Sequence, residues 1–261
     1  MNIKIKNAFI LPALLTGSVY MAPVYAQTLE VTAIDWCPQL CSSSEKPGYV
    51  LDTLKAVFKD SPYEISVKTY PWTRSIDLVK TGAAHAVLAP AKSEAPDLIY
   101  PENPIGIQRM CFFTKKESNW TYAGVDSLQG MKVGVAKDAA PQELNSYIAK
   151  NKKRFQFMPY NESYLTKSLK KLDGNRFDTF IFTYNTTVYE MNALSVSDKY
   201  RMAGCVTKDY IYVAFSPSGK TKAVVSEAMN FYDNKINELH ADGTISKIMS
   251  SYKLDNWNEV K

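Results

Sequence analysis

The chain has 261 residues, 46% of them apolar, and a formal net charge of +5, enough to bury one large core or two smaller ones. An excess this small, left over from 31 basic and 26 acidic side chains, excludes the dense basic surface that a nucleic-acid partner requires. The densest basic run is Lys150, Lys152, Lys153 and Arg154, with Lys170 and Lys171 further on; both read as solvated helix ends and loops.

Lys4 and Lys6 precede an apolar run from Ala8 to about Ala22, and Val24-Tyr25-Ala26 resembles a small-residue cleavage site before Gln27. Residues 1–26 are therefore expected to be a secretory signal. The run contains Pro12, Thr16, Gly17 and Ser18 and is too short to span a bilayer comfortably, which argues against an anchor. Gln27 is not a cysteine, so the common bacterial lipid attachment is excluded. Loss of Lys4 and Lys6, with no acid in that segment, takes the charge from +5 to +3. The expected product is exported, without stable membrane insertion after cleavage.

Leu29 to Trp36 alternates as a first strand should, and the loop CPQLCSSSEKPGY leads into a helix with Val50, Leu54, Val57 and Phe58 at helical spacing. Ile65 and Val67 mark a second strand that Pro71 stops. Ile76, Leu78 and Val79 give the next helix one apolar face, and Gly82 sits where a C-cap belongs. His85 to Ala89 then runs apolar into Pro90 as a buried parallel strand would. Asp97 to Gly106 is extended and proline-rich, a passage toward a second lobe. Ile107 to Thr114, Met131 to Ala136, Arg154 to Met158 and Phe177 to Phe182 read as strands. Pro141 opens one helix, and Ser163 to Leu172, closed by Gly174, forms another. Ile211 to Phe215 is a later strand, followed by helices at Lys222 to Glu238 and Ile245 to Tyr252. The expected fold is α/β with two lobes joined by two crossing strands: 27–107 and 214–261 in the first lobe, 108–213 inserted as the second.

Four cysteines in an exported chain imply disulfides, and the sequence permits three pairings. Cys37 with Cys41 is favoured as a short loop closure, and Cys111 with Cys205 as a tie between the crossing segments. A metal site lacks support, since the only histidines are His85, inside a strand, and His240, late in a helix. No cofactor is expected.

In open α/β sheets, ligands sit outside the carboxyl ends of the strands. That rule nominates Asp35 and Trp36, Tyr70, Trp72 and Arg74, Lys92, Ser93 and Glu94, Lys137 and Asp138, Tyr160 and Asn161, and Thr183, Tyr184 and Asn185. Aromatic rings can sandwich a planar or cationic ligand, Asp35 or Glu94 can pair with a positive group, and Arg74 with a carboxylate. Trp72, Tyr49 and Tyr184 serve equally well as core packing or as pocket wall. Lys92 and Glu94 are either ligand contacts or a surface pair.

Several segments in order carry a resemblance: Gly48-Tyr49-Val50-Leu51-Asp52, Pro71-Trp72-Thr73-Arg74 with Gly82, Ser127 to Val135, Asp173 to Asp178, and Asp242-Gly243-Thr244-Ile245 running to Tyr252. Together they resemble the family 3 extracellular solute-binding proteins, the polar amino-acid type of periplasmic receptor. The resemblance implies a monomeric periplasmic protein that closes its lobes on a small-molecule ligand and engages an inner-membrane partner, an ABC importer or a sensor. It also implies contacts that this chain lacks. The arginine that grips an α-carboxylate falls on Glu94, the hydroxyl at the next helix start falls in Lys137-Asp138-Ala139-Ala140, and the ammonium-binding aspartate falls on Thr183 or its neighbours. These departures argue against an ordinary α-amino acid and toward a small polar or aromatic solute. An enzyme of dehydratase type on the same scaffold is the competing function. It would need a general acid or base, for which Glu94 and Asp35 are the candidates; no catalytic residue is assigned.

Overall fold

The computed structural model describes residues 26–42, 45–137, 141–161 and 163–257. The expected signal, save for residue 26, and the turn at 138–140 with Asp138 lie outside them. The first half builds strand β1 (Gln27–Ala33), helix α1 (Tyr49–Phe58), β2 (Tyr63–Thr69), α2 (Trp72–Lys80) and β3 (Ala86–Ala91). β1 pairs in parallel with both β2 and β3. The parallel arrangement follows from the connections, because a helix between two strands returns the chain to the same edge.

The chain then runs through β4 (Gly106–Lys115), β5 (Val133–Ala136), a 3-10 turn into α3 (Asn145–Lys150), β6 (Phe155–Met158), α4 (Tyr164–Asp173) and β7 (Thr179–Thr183). α5 (Tyr184–Ala193), β8 (Tyr200–Phe215), α6 (Lys222–Ala241) and α7 (Thr244–Ser251) complete it. The strands form one sheet in the order β2-β1-β3-β8-β4-β7-β5-β6. β5 lies parallel to β6 and β7, while β8 runs antiparallel to both β3 and β4.

Two elements depart from the sequence reading. β8 begins at Tyr200, not near Ile211, because its first half pairs with β4 from Lys115↔Tyr200 onward. Its exposed Lys208, Asp209 and Tyr210 hide the alternation that marks a strand. α5 was not expected either. Its sequence YNTTVYEMNA is rich in β-branched and polar residues, which favour other states, and its packing overrides that preference.

The side chains divide into separate cores along this sheet. Leu29, Val31 and Ala33 of β1, Leu88 of β3 and Val213 of β8 pack under α1, α6 and α7, with Ile76 and Val79 of α2 on the opposite face. Further along, Phe113 and Phe180 pack under α4, while Phe112 and Ile181 face the side of α3. β4 and β8 pass through both regions, so they are the two crossing strands. Disulfides join Cys37 to Cys41 and Cys111 to Cys205, the favoured pairing. The second bridges residues directly opposite each other on β4 and β8.

Local chemistry fixes the helix starts that matter below. α1 lacks a side-chain cap, and Gly48 before it has φ +103. That conformation suits glycine, and it lets the 37–41 loop lie against the helix: a Cβ on Gly48 would meet the Gln39 carbonyl oxygen at 2.3 Å. The carbonyls of Pro38 and Gln39 accept from the N–H groups of Tyr49 and Val50 at 2.9 and 3.1 Å. The loop therefore caps α1 with backbone in place of a side chain.

Candidate ligand-binding cleft

Asp35 and Trp36 follow β1. Trp36 exchanges two backbone hydrogen bonds with Leu40, at 2.7 and 2.9 Å, across the disulfide-closed turn. This holds its half-buried ring beside the first core. Asp35 is exposed, and its Oδ1 accepts from the Ser42 N–H at 3.0 Å. The same turn carries Gln39, only 2% exposed, to the other core, where Nε2 donates to Thr186 Oγ1 at 3.4 Å. Beside it, Asn185 Nδ2 donates to the hydroxyl of fully buried Tyr49 at 3.0 Å. Two elements of the first core thus grip the first turn of α5. Val188, one helical turn on, touches both cores.

Tyr160 follows β6 and packs against Tyr164 and Phe182. It is 51% exposed, yet burial raises its phenol pKa, and the charge of Asp35 adds to the rise. A group that is accessible but surrounded lies on a concave wall. Asp35, after β1, is near enough to Tyr160 for its charge to be felt there.

Glu94, after β3, shows the same combination. The residue is exposed, but desolvation pushes its pKa up; the Ala91 N–H, bonded to Oε2 at 2.8 Å, opposes the rise, and Asp209 adds to it. Lys92 holds its ammonium 4.7 Å from the Tyr212 ring and 5.7 Å from Tyr100, and Ser93 is exposed beside it. Among the described residues neither Lys92 nor Glu94 forms an ion pair, so they are not a surface pair with each other. A carboxyl with a raised pKa adds stability that is complete below its ordinary pKa and is lost as pH climbs through the raised one. Glu94→Gln is therefore expected to gain stability relative to the parent on going from acid to neutral pH. Exposure keeps the gain below about 1 kcal/mol. Urea midpoints of both proteins across that range check it, and a pH-independent difference would contradict the assignment.

The remaining nominees are placed differently. Trp72 is half-buried against the patch of Ile76, Val79 and Leu98, in keeping with core packing. Arg74 is exposed, its guanidinium carbon 5.5 Å from the Tyr70 ring, and it borders a surface hollow of about 450 Å³ with Pro71, Asp77 and Leu78. A second hollow, of about 520 Å³, lies between Lys59 of the α1 terminus and Phe231 of α6. Neither is lined from both cores. Lys137 is exposed after β5. Thr183, 6% exposed, precedes α5 with a buried hydroxyl that has no hydrogen-bond partner.

The sequence missed Arg109 on β4, which stacks its guanidinium carbon 4.0 Å from the ring centre of Tyr184. Within IQRMCFFT it reads as one basic residue on an otherwise apolar strand. Only the pairing of Met110 with Thr183 carries it to the start of α5. It missed Gln39 as well, because the loop gives no local signal that its glutamine crosses to another core.

No family model matches the chain, and no curated protein matches it. Solved structures do. A histidine kinase sensor domain with similarity to periplasmic binding proteins aligns with a TM-score of 0.60 and 15% identity, covering 89% of this chain and 100% of that one. The L-cystine solute receptor of Neisseria gonorrhoeae, in its unliganded open conformation, gives 0.65 and 17%, covering 91% and 97%. An ancestral arginine-binding protein bound to arginine gives 0.61 and 16%, covering 87% and 99%. The chain has the α/β fold of periplasmic binding proteins and is structurally similar to polar amino-acid receptors. Among the described residues, no helix is long and apolar enough to cross a membrane.

Proposed function

We propose that the chain is a periplasmic solute receptor whose two lobes, 27–107 with 214–261 and 108–213, close on a small polar or aromatic solute. Occupancy is then delivered to an ABC importer or reported to a membrane sensor. The observation that carries this reading is the polar contact between the two cores, with Gln39 and Tyr49 of the first bonded to Thr186 and Asn185 of α5. A lobe contact made of a few polar bonds can be remade in a second arrangement, and a ligand that prefers one arrangement shifts the population toward it. The structural likeness to a solute receptor supports the importer arm and the likeness to a sensor domain the signalling arm.

A thermal-shift screen over amino acids, polyamines, nucleobases and small aromatic acids tests the proposal. A solute at a hundred times its dissociation constant stabilises by about 2.7 kcal/mol. Trp36→Ala is expected to weaken the best solute by about tenfold, the loss of roughly 1.4 kcal/mol of ring contact, with little change in the unfolding midpoint without solute. A variant that binds as well as the parent would remove Trp36 from the site. The enzyme reading rests on the raised pKa of Glu94. It requires product to accumulate from a bound solute, whereas a receptor returns the solute unchanged at one equivalent.

A further inference from the structure

The start of α5 gathers hydrogen-bond donors that have no acceptor. Arg109 is half-buried and makes no ion pair or hydrogen bond with any described residue. Its guanidinium lies on the Tyr184 ring, so the face is covered and the N–H edge is left free to meet a planar acceptor. The Tyr49 hydroxyl accepts a hydrogen bond from Asn185 Nδ2, but its own O–H donates to no described group. The Thr183 hydroxyl, at the cap position of α5, is also buried and unpartnered, but Thr183 pairs with Met110 and so faces the other side of the sheet from Arg109. Thr183 also makes no side-chain cap, so the first N–H groups of this helix, at its positive end, stay open. The unpartnered acceptor nearby is Gln39 Oε1, a single neutral oxygen.

We propose that Arg109 and Tyr49, beside the first turn of α5, form the subsite for a carboxylate group of the solute. This deepens the receptor reading and rests on it. A buried donor without an acceptor costs about 1–3 kcal/mol, and the donors of Arg109 and Tyr49 are compensated together by one anion. A carboxylate matches the free guanidinium edge in two parallel bonds. One guanidinium balances one negative charge, which favours a monoanion over a phosphate dianion. Burial lowers the pKa of Arg109, and the charges of Tyr184, Asp255 and Tyr49 oppose that shift; the guanidinium remains a cation at every working pH. Asp255, exposed after α7, acts on it through space without reaching ion-pair distance. Arg109 and Tyr184 are both partly exposed, which leaves the spot open on one side. The polarity is the reverse of that expected from the resemblance, which puts a cationic group at the end of β7.

Calorimetric titration of the purified chain with acetate and benzoate, each against its amide, tests this. Both carboxylates are expected to bind and to raise the unfolding midpoint, and acetamide and benzamide to do neither. Arg109→Gln is expected to weaken benzoate by tenfold or more, Arg109→Lys to recover part of the loss, and Tyr49→Phe to weaken it severalfold. Should Arg109→Gln fail to fold, Arg109→Lys and Tyr49→Phe carry the test. Carboxylates that do not bind the parent, amides that bind as well, or variants that change the midpoint while leaving benzoate affinity within twofold would each overturn the subsite. X-ray scattering separates it from the receptor reading. Benzoate binding that depends on Arg109 but leaves the radius of gyration unchanged keeps the subsite and sinks closure. A screened solute that compacts the parent and Arg109→Gln alike keeps the receptor and sinks the subsite.

Discussion

Replacing Cys111 and Cys205 together by alanine is expected to lower the stability of the chain by about 2–5 kcal/mol, the largest loss from any pair of substitutions considered. The bridge joins β4 to β8 over a separation of 94 residues. In the unfolded chain it restrains the loop that contains most of the second core, and the entropy removed grows with the logarithm of loop length. The Cys37–Cys41 bridge has a separation of 4, for which the same relation gives only about 2 kcal/mol. Urea unfolding of the two double alanine variants separates the effects: a larger shift for Cys111/Cys205, and for Cys37/Cys41 a smaller shift with a weaker grip on solute, because Trp36 and Gln39 lose their fixed turn. Equal losses from both variants would contradict the loop-length account. So would a Cys111/Cys205 variant as stable as the parent.

Gly48→Ala is expected to cost about 3 kcal/mol or more. Two terms add. A non-glycine residue held at φ +103 and ψ 144 carries about 1–3 kcal/mol of backbone strain. The added methyl must also displace the Gln39 carbonyl and the Leu40 Cα, which are backbone atoms that cannot swing aside as a flexible side chain could. Gly124 separates the terms, since its φ is +97 and nothing lies within 4 Å of a Cβ there. Gly124→Ala should therefore lose only the conformational part. The difference between the two thermal midpoints measures the overlap with the 37–41 loop. If the two substitutions cost the same, the loop is not pressed against α1, and the presentation of Gln39 to α5 fails with it.

Most of the sheet was legible in the sequence because its signals are local. Val31 and Ala33 alternate inward on β1, Val50, Leu54 and Val57 repeat on one face of α1, and Pro71 and Gly82 bracket α2. Each depends on side chains within one or two turns of each other. α5 and the first half of β8 were not legible, since their own residues prefer nothing strongly and distant partners decide their state. The cleft divides in the same way. Trp36, Tyr160, Thr183 and Asn185 could be nominated by the rule that strand ends carry ligands, whereas Arg74 follows the rule yet stands exposed in the first turn of α2.

The sequence by itself determined most of the strand and helix order, α5 and the first half of β8 excepted, and the export of a disulfide-bearing chain as an expectation. These are properties of neighbours along the chain, where a proline, a glycine or an apolar period acts at short range. Tertiary structure alone decided that Arg109 lies on Tyr184, that Gln39 and Tyr49 hold α5, and that the charge of Asp35 reaches Tyr160. Each of those pairs is separated by more than seventy residues. Coulomb attraction and hydrogen bonding act over a few ångströms, so only the folded sheet brings such groups within range.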